Sequence, residues 1–378
     1  MHSPALRLKY SVCRALYGLG LGSKVIGPPQ WISSGDDDRS DEAVCLLPRS
    51  VWVNPNSPPE HAGPQFRQFS KLAYPPAVVR RYDHCRVYEV FGDLLPVTRS
   101  DTIVNYDRFQ ETSADLYLTT RVKLPRSTKM SGSFLLLSGA FSRSVFHWYT
   151  EVLPLAIAVD RLRENGTEPC LLYSAPAAFH QASVDWLADL LKVRVCRFQS
   201  AVEVEKLWVV SGLVPARGAP RPEPIQWLWD RLATHLGIGN SRPTRRIFIS
   251  RSKAPRRKLL NEEQLLSKLD GFERCYFEDL SPLDQVRICS EARVVMGGHG
   301  AGFTNLLTSG QTCQIVELLG PVYQAACFYH LAGVRALSYK VFVTETKPAE
   351  ASLNPAADDL ILSERRLTEI VDYVQGLE

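Results

Sequence analysis

The chain has 378 residues, 45% of them hydrophobic and 22% charged, with a formal net charge of +4. This composition describes an ordinary globular protein with room for two domains and excludes a collagenous or disordered chain. So small a positive surplus does not imply a nucleic-acid partner, and the nine cysteines, spread singly with no C-x-x-C pair, suit reduced buried thiols better than a zinc site or a disulfide framework.

From Leu6 to Ile26, Arg7, Lys9, Arg14 and Lys24 stand among apolar residues. This stretch (residues 6–26) reads as a basic amphipathic helix in peripheral contact with a membrane, or as a loosely packed N-terminal helix. No apolar run reaches the roughly 18 residues of a spanning helix, and no long apolar core precedes a cleavage site. The expected location is cytoplasmic, with a peripheral place on an inner membrane. Residues 27–42 read as a polar linker. Within it Asp36 and Asp38 form an Asp-x-Asp pair, a metal-binding signature of many sugar transferases. No strand is expected to hold the pair rigid, so it reads as a solvated loop and no metal site is expected.

Val44 to Val53 reads as a strand broken by Pro48, and Val78 to Phe91 and Asp101 to Val104 as further strands. This first third has no regular alternation and gives no topology. From Phe134 strands and helices alternate: strand Phe134–Leu137, helix Val145–Leu162, strand Cys170–Tyr173, helix Ala177–Leu191, then strands Val193–Cys196 and Leu207–Val210. Such alternation predicts a parallel sheet with helices on both faces. The prolines between Pro215 and Pro224 read as an interdomain linker. A second alternating run follows: helix Ile225–Leu236, strand Ile247–Ser250, helix Asn261–Leu269 capped by Asn261, and strand Glu273–Phe277. A helix then opens on Ser281 and Pro282. Strands Gln314–Leu318 and Arg335–Tyr339 and a terminal helix Leu367–Val374 complete it. The expected organisation is a basic segment and linker over 1–42, an acceptor-side domain over 43–238, a nucleotide-sugar-binding domain over 239–345 and a tail with a helix over 346–378.

Between the last two helix–strand units lies the sequence Val294-Val295-Met296-Gly297-Gly298-His299-Gly300-Ala301-Gly302-Phe303-Thr304-Asn305. A buried strand, a glycine loop and a helix start present backbone N–H groups and a positive helix end to an anion, typically a phosphate. The alternative is a plain tight turn. The loop is not the dinucleotide fingerprint, because Phe303 stands where the last glycine of G-x-G-x-x-G should fall.

Three groups of side chains could carry chemistry. His147 and Glu151 are four apart on one helix and are expected to lie off its apolar stripe. They could take a proton from a hydroxyl, or be a surface ion pair. From Arg242 to Lys258 lie eight basic residues and no acid. Of these, Arg251 at a strand end, and then Arg256 and Arg257, suit a diphosphate. Glu317, at the end of a later strand, could accept both hydroxyls of a ribose or pair with an arginine.

Together these motifs resemble glycosyltransferase family 61. The residues that carry the resemblance are Phe146-His147-Trp148 with Glu151 and Pro154, Ile249-Ser250-Arg251, Arg256-Arg257, Asn261-Glu262, Gly271-Phe272-Glu273, Gln285, Ala292, Gly298 to Asn305, and Val316-Glu317. The family includes plant xylosyl- and arabinosyltransferases and animal enzymes that add N-acetylglucosamine. The resemblance implies a GT-B architecture, with two Rossmann-like domains facing each other across a cleft. It implies an inverting transfer from a nucleotide sugar, most simply a UDP-sugar, to a hydroxyl of a saccharide or glycolipid, with no cofactor or metal required. Donor-binding residues are then Arg251, Arg256, Arg257, Gly298, His299, Gly300, Ala301, Gly302, Thr304, Asn305 and Glu317. Glu151 is the first candidate for the catalytic base, with His147 or His299 as alternative or orienting partner. The Golgi anchor of animal and plant members is not evident, which suggests a bacterial-type member. The rival readings are a non-catalytic sugar- or nucleotide-binding module of the same fold, and an NAD-dependent oxidoreductase disfavoured by the missing glycine.

Overall fold

The computed structural model describes residues 12, 40–60, 62–104, 106, 118, 124–139, 141–214, 218–238, 242–347, 354 and 357–377. The basic stretch at 6–26, apart from Val12, and the Asp36–Asp38 run lie outside them. Two compact units are present: Met1–Ser50 with Tyr74–Pro224, and Val51–Ala73 with Ile225–Glu378. Among the described residues no helix is long and apolar enough to cross a membrane. Most of the described cysteines are buried, and all are free thiols.

The first unit is built on one mixed sheet. Its strands are β1 (Glu42–Leu47), β4 (Ala77–Val90), β5 (Asp93–Val97), β6 (Thr128–Leu136), β7 (Cys170–Tyr173), β8 (Arg194–Arg197) and β9 (Ala201–Ser211). They run in the order β1-β4-β9-β6-β7-β8, with β5 also on β4. The expected parallel sheet is found only in β9-β6-β7-β8; β4 pairs antiparallel with β1, β5 and β9. For β4 with β5 the local reason is a two-residue hairpin. Phe91 and Gly92 both have positive φ (54° and 89°), the conformation that turns a right-twisted strand straight back on itself. The expected strand over Asp101–Val104 forms only a bridge between Val97 and Ile103.

Just past β9 the chain passes too close to Pro76 for a side chain. Gly212 has φ +85°, and a Cβ there would lie 2.3 Å from the Pro76 carbonyl oxygen. Gly212→Ala is therefore expected to destabilise the protein by about 2 to 3 kcal/mol, read as a lower denaturant midpoint at unchanged slope.

The second unit holds five parallel strands: β10 (Arg245–Ile249), β11 (Phe272–Cys275), β12 (Ala292–Gly298), β13 (Gln314–Leu319) and β14 (Ser338–Val343). Their order is β11-β10-β12-β13-β14. β12 is buried along nearly its whole length, as a strand covered on both faces must be. Helices Glu262–Leu266, Pro282–Ser290, Ala301–Thr308 and Cys327–Val334 make the crossovers, and Glu364–Gln375 is terminal. The Ser281 cap forms as expected, its hydroxyl accepting from the Asp284 N–H. Asn261 precedes its helix but does not cap it with its side chain; the amide bonds instead to the N–H and carbonyl of Leu362. The strand expected at Arg335–Tyr339 begins later, at Ser338, because Cys327–Val334 winds into a helix that the sequence did not announce. The segment from Val51 to Ala73 belongs to this unit too; it carries the helix Pro64–Gln68 between the paired strands β2 (Ser50–Val53) and β3 (Lys71–Tyr74), and Phe66 packs on Tyr329 and Phe69 on His330.

This strand order has a topological switch point between β10 and β12, since the chain winds outward in opposite directions from them. In open α/β sheets a ligand sits beyond the carboxyl ends of the strands at such a point. The loops leaving those two ends are the arginine loop after Ile249 and the glycine loop after Gly298.

Candidate functional site

In the first unit, the helix that begins at Val145 is not regular. It is α-helical over Val145–His147, widens to a π-turn over Trp148–Val152, tightens to a 3-10 turn over Leu153–Ile157 and resumes as α over Ala158–Glu164. Pro154 supplies the cause: it has no N–H for the carbonyl one turn back, and its ring crowds that carbonyl. Thr150 adds to the distortion by bonding its hydroxyl to the Phe146 carbonyl at 2.8 Å, a contact that bends helices. Wide turns of this kind recur at functional sites.

Glu151, on the π-turn, and His147, in the α-turn just before it, both face inward. The two were expected off the apolar stripe, as a regular helix would place them, yet the residues are only 9% and 5% exposed. Nδ1 of His147 lies 2.8 Å from Oε2 of Glu151, close enough for strong attraction but out of hydrogen-bond alignment. The other Glu151 oxygen accepts from the N–H of Gly218 at 3.1 Å. Gly218 has φ +78°, so the loop that reaches the carboxylate needs a glycine there. Phe141 and Phe146 pack their rings against His147. A buried carboxylate beside an imidazole, each held by its surroundings, is the arrangement that proton abstraction requires; a solvated surface pair is not what the chain builds here.

In the second unit, the structure sorts the run of eight basic residues. Arg245 is paired with Glu273 and Glu291, and Lys253 with Asp279. The other six have no carboxylate in salt-bridge contact among the described residues, and of these Arg251 and Arg257 stand beside the glycine loop and the Tyr323 ring, while Arg256 is exposed. Arg251 instead donates to the carbonyls of Arg256 (3.1 Å) and Arg257 (3.3 Å), which fixes the guanidinium against the glycine loop. Burial, and then the charge of Arg257, pull Arg251 down to about 10. Burial lowers Arg257 as well. Arg257 stacks on Tyr323 at 4.9 Å, and its Nε is buried with no hydrogen-bond partner among the described residues. Its backbone is strained at φ +56°. Arg251 and Arg257 are thus half-buried cations without a carboxylate in salt-bridge contact among the described residues, and Arg257 sits on strained backbone, features that recur at functional sites.

The expected C-terminal tail forms part of this site. The strands β15 (Glu345–Lys347) and β16 (Asp359–Ile361) pair with each other, and the segment clamps the arginine loop. Arg257 N–H donates to the Ala357 carbonyl, Lys258 N–H to Asp359, and Leu360 N–H to the Lys258 carbonyl. From the other side Glu262, itself buried, accepts from the Ser250 hydroxyl at 2.7 Å.

The glycines of the loop are needed for closeness, not for unusual backbone angles. None of Gly297, Gly298, Gly300 and Gly302 has positive φ, and Gly300 is extended at φ −175°. A Cβ on Gly300 would sit 1.9 Å from Nη1 of Arg251; on Gly297, 2.7 Å from the Ile249 carbonyl; on Gly302, 3.0 Å from the Ile249 side chain. The helix after the loop is a 3-10 helix, Ala301–Thr308. The N–H groups at its start have no intrahelical acceptor and remain for a ligand.

The remaining residues read from the sequence divide differently. Thr304 and Asn305 are buried within the helix, and Asn305 is committed to Gln285 and the Gly302 carbonyl. Glu317 is wholly buried: one oxygen faces Nδ1 of His299 and the other accepts from the Tyr339 hydroxyl, both at 2.5 Å. In this arrangement it offers nothing to a ribose. His299 lines a narrow cavity with Arg257, Tyr323 and Asp358. The sequence did not single out Gly218, Tyr323, Tyr339 or the 357–360 segment. No spacing signals them, since each reaches the site through a contact distant in the chain.

Residues 145–316 match the family model described as Glycosyltransferase 61. Over 92 residues the chain is 26% identical to Beta-1,2-xylosyltransferase RCN11 of Oryza sativa subsp. japonica, covering 22% of this chain and 17% of that protein. Over 108 residues it is 27% identical to a Beta-1,2-xylosyltransferase of Arabidopsis thaliana, covering 25% of this chain and 20% of that protein. The aligned region thus spans about a fifth of each of these relatives. The stretch from residue 145 to residue 316, which holds the His147–Glu151 pair, Arg251 and the glycine loop, belongs to glycosyltransferase family 61.

Proposed function

We propose that the protein is an inverting glycosyltransferase of GT-B type that moves a sugar from a UDP-sugar to a hydroxyl of a saccharide or glycolipid. The observation that carries this reading is the set of arginines without counter-ions at the switch point of the second sheet, beside a glycine loop and a helix start. The donor diphosphate is held there by Arg251, Arg257 and the N–H groups of the Ala301–Thr308 helix, with Arg256 at the rim. In the other unit, Glu151 takes the proton of the acceptor hydroxyl. The resulting oxygen attacks the anomeric carbon from the face opposite the diphosphate. The bond from that carbon to the diphosphate oxygen breaks, and its electron pair leaves with the diphosphate. Preorganised cations and N–H groups stabilise that developing charge, so no metal is required of this mechanism.

The test is a nucleotide-release assay with a panel of nucleotide sugars, with and without excess chelator. Release of UDP, undiminished by chelator, is the expected result. Activity lost with chelator and restored by manganese would overturn the metal-independent mechanism and return attention to Asp36 and Asp38. Binding of a UDP-sugar without release in the presence of any saccharide acceptor would favour a non-catalytic binding module.

A further inference from the structure

Two turns of the first unit carry an exposed phenylalanine where the backbone disfavours one. Phe91 leads the two-residue turn between β4 and β5 at φ +54°, and Phe141 stands at φ +63° shortly before the helix that begins at Val145. Positive φ suits glycine and asparagine and is adverse to a bulky side chain. Asn-Gly is the pair such a hairpin prefers, yet the chain has Phe91-Gly92. Burial does not offset the cost, since Phe91 is 61% and Phe141 40% exposed. Single exposed apolar side chains are ordinary, but strained backbone that presents one recurs at ligand sites. The two turns are also fastened together. The Ser142 hydroxyl donates to the Gly92 carbonyl at 3.0 Å, and Nη1 of Arg143 to the Phe91 carbonyl at 3.3 Å. A Cβ on Gly92 would lie 2.6 Å from Cδ of Arg143, so the hairpin tip rests against that side chain. Nε2 of His180 donates to the Ser142 carbonyl at 3.0 Å and pins the second turn from within. The Phe141 ring packs on His147 with centroids 5.4 Å apart, and His147 is the partner of Glu151. An exposed aromatic surface therefore begins beside the proposed base and its partner.

We propose that Phe91 and Phe141 form a platform for the acceptor, and that the part of the acceptor bound there is a saccharide whose C–H face lies on these rings. This rests on Glu151 as the base and adds the surface that brings a hydroxyl to it. A group that carries its hydroxyl to the His147–Glu151 pair comes beside the Phe141 ring, which packs on His147. A pyranose has a face of weakly positive C–H groups, and the negative face of an aromatic ring is complementary to it. Phe91, on the adjoining turn, serves the next sugar unit. Arg143 is exposed and has further N–H donors for sugar hydroxyls beyond the one given to Phe91. An acyl chain would ask for a continuous aliphatic surface, whereas the exposed large apolar side chains of these two turns are both flat rings.

The probes are a printed array of saccharides, phosphatidylcholine vesicles and UDP, used with the full chain and with Phe91→Asn, Phe91→Trp and Phe141→Leu. The wild type should bind saccharides on the array. Phe91→Asn should weaken that binding about three- to tenfold, while its melting temperature rises by about 2 °C because asparagine is at ease at positive φ. Phe91→Trp should keep the affinity. Phe141→Leu preserves an apolar contact with His147 but not a flat ring, and should lose about as much as Phe91→Asn. A residue that only completes its turn would not couple lost binding to gained stability. No saccharide bound by the wild type, unchanged saccharide affinity in Phe91→Asn and Phe141→Leu, or a lower melting temperature in Phe91→Asn overturns the proposal. Vesicle binding that is lost in Phe91→Asn, in place of saccharide binding, assigns the rings to a lipid surface and overturns it as well. Calorimetry with UDP checks the donor site separately: a wild type that binds saccharide through these rings but does not bind UDP counts against the donor site and leaves the platform standing.

Discussion

Glu151→Gln is expected to lower turnover by about 10² to 10⁴, the range that a general base contributes, with donor affinity nearly unchanged. Glutamine keeps the shape, and its amide oxygen can still accept from the Gly218 N–H that now reaches Glu151. What it loses is the basic oxygen beside His147. Binding should be insensitive because the arginines and the glycine loop proposed to hold the diphosphate belong to the other unit. His147→Asn separates the two members of the pair. If the histidine only steadies the carboxylate, this change costs less than Glu151→Gln; if it takes the proton itself, the change costs as much or more. Steady-state kinetics with UDP release, beside calorimetric donor affinity, read both quantities. Near-normal turnover in both variants would remove the pair from the mechanism and leave His299 as the next candidate.

Gly300→Val is expected to weaken UDP binding by about 10- to 100-fold, the loss that follows when a charge-assisted contact is broken, while the fold persists. The expected cause is steric. Gly300 is extended, so valine can adopt its backbone angles, but its Cβ would take the space of the Arg251 guanidinium. The arginine is a flexible side chain and can swing aside, which spares stability. It cannot swing aside and still donate to the carbonyls of Arg256 and Arg257 that now hold it against the loop. Calorimetry with UDP and a thermal melt measure the two effects separately. Normal UDP affinity with an unchanged melt would mean that the loop is only a turn.

The alternation of apolar runs with amphipathic helices was enough to read an α/β chain, and the parallel strands of the second unit fell close to their expected places. The central strands β12 and β13 are buried on both faces, so their signal is local: a short apolar run between breakers. The glycine loop was legible for the same reason, as strand, loop and helix are consecutive in sequence. The motifs that resemble family 61 lie within the stretch that matches its model. The antiparallel half of the first sheet was not legible, because pairing β4 with β9 depends on contacts more than a hundred residues apart. Sequence could name His147 and Glu151 as neighbours but placed them on a solvated face. In the folded chain both are buried, Glu151 on the π-turn and His147 just before it. Equally, a run of eight basic residues reads as one patch until the fold supplies carboxylates to Arg245 and Lys253 and half-buries Arg251 and Arg257 without one among the described residues. The partners of a charged side chain are set by strands and loops far along the chain, as with Tyr339 and Glu317. Local sequence therefore determined which chemical groups this protein has, and tertiary structure decided which of them remain uncompensated and able to act.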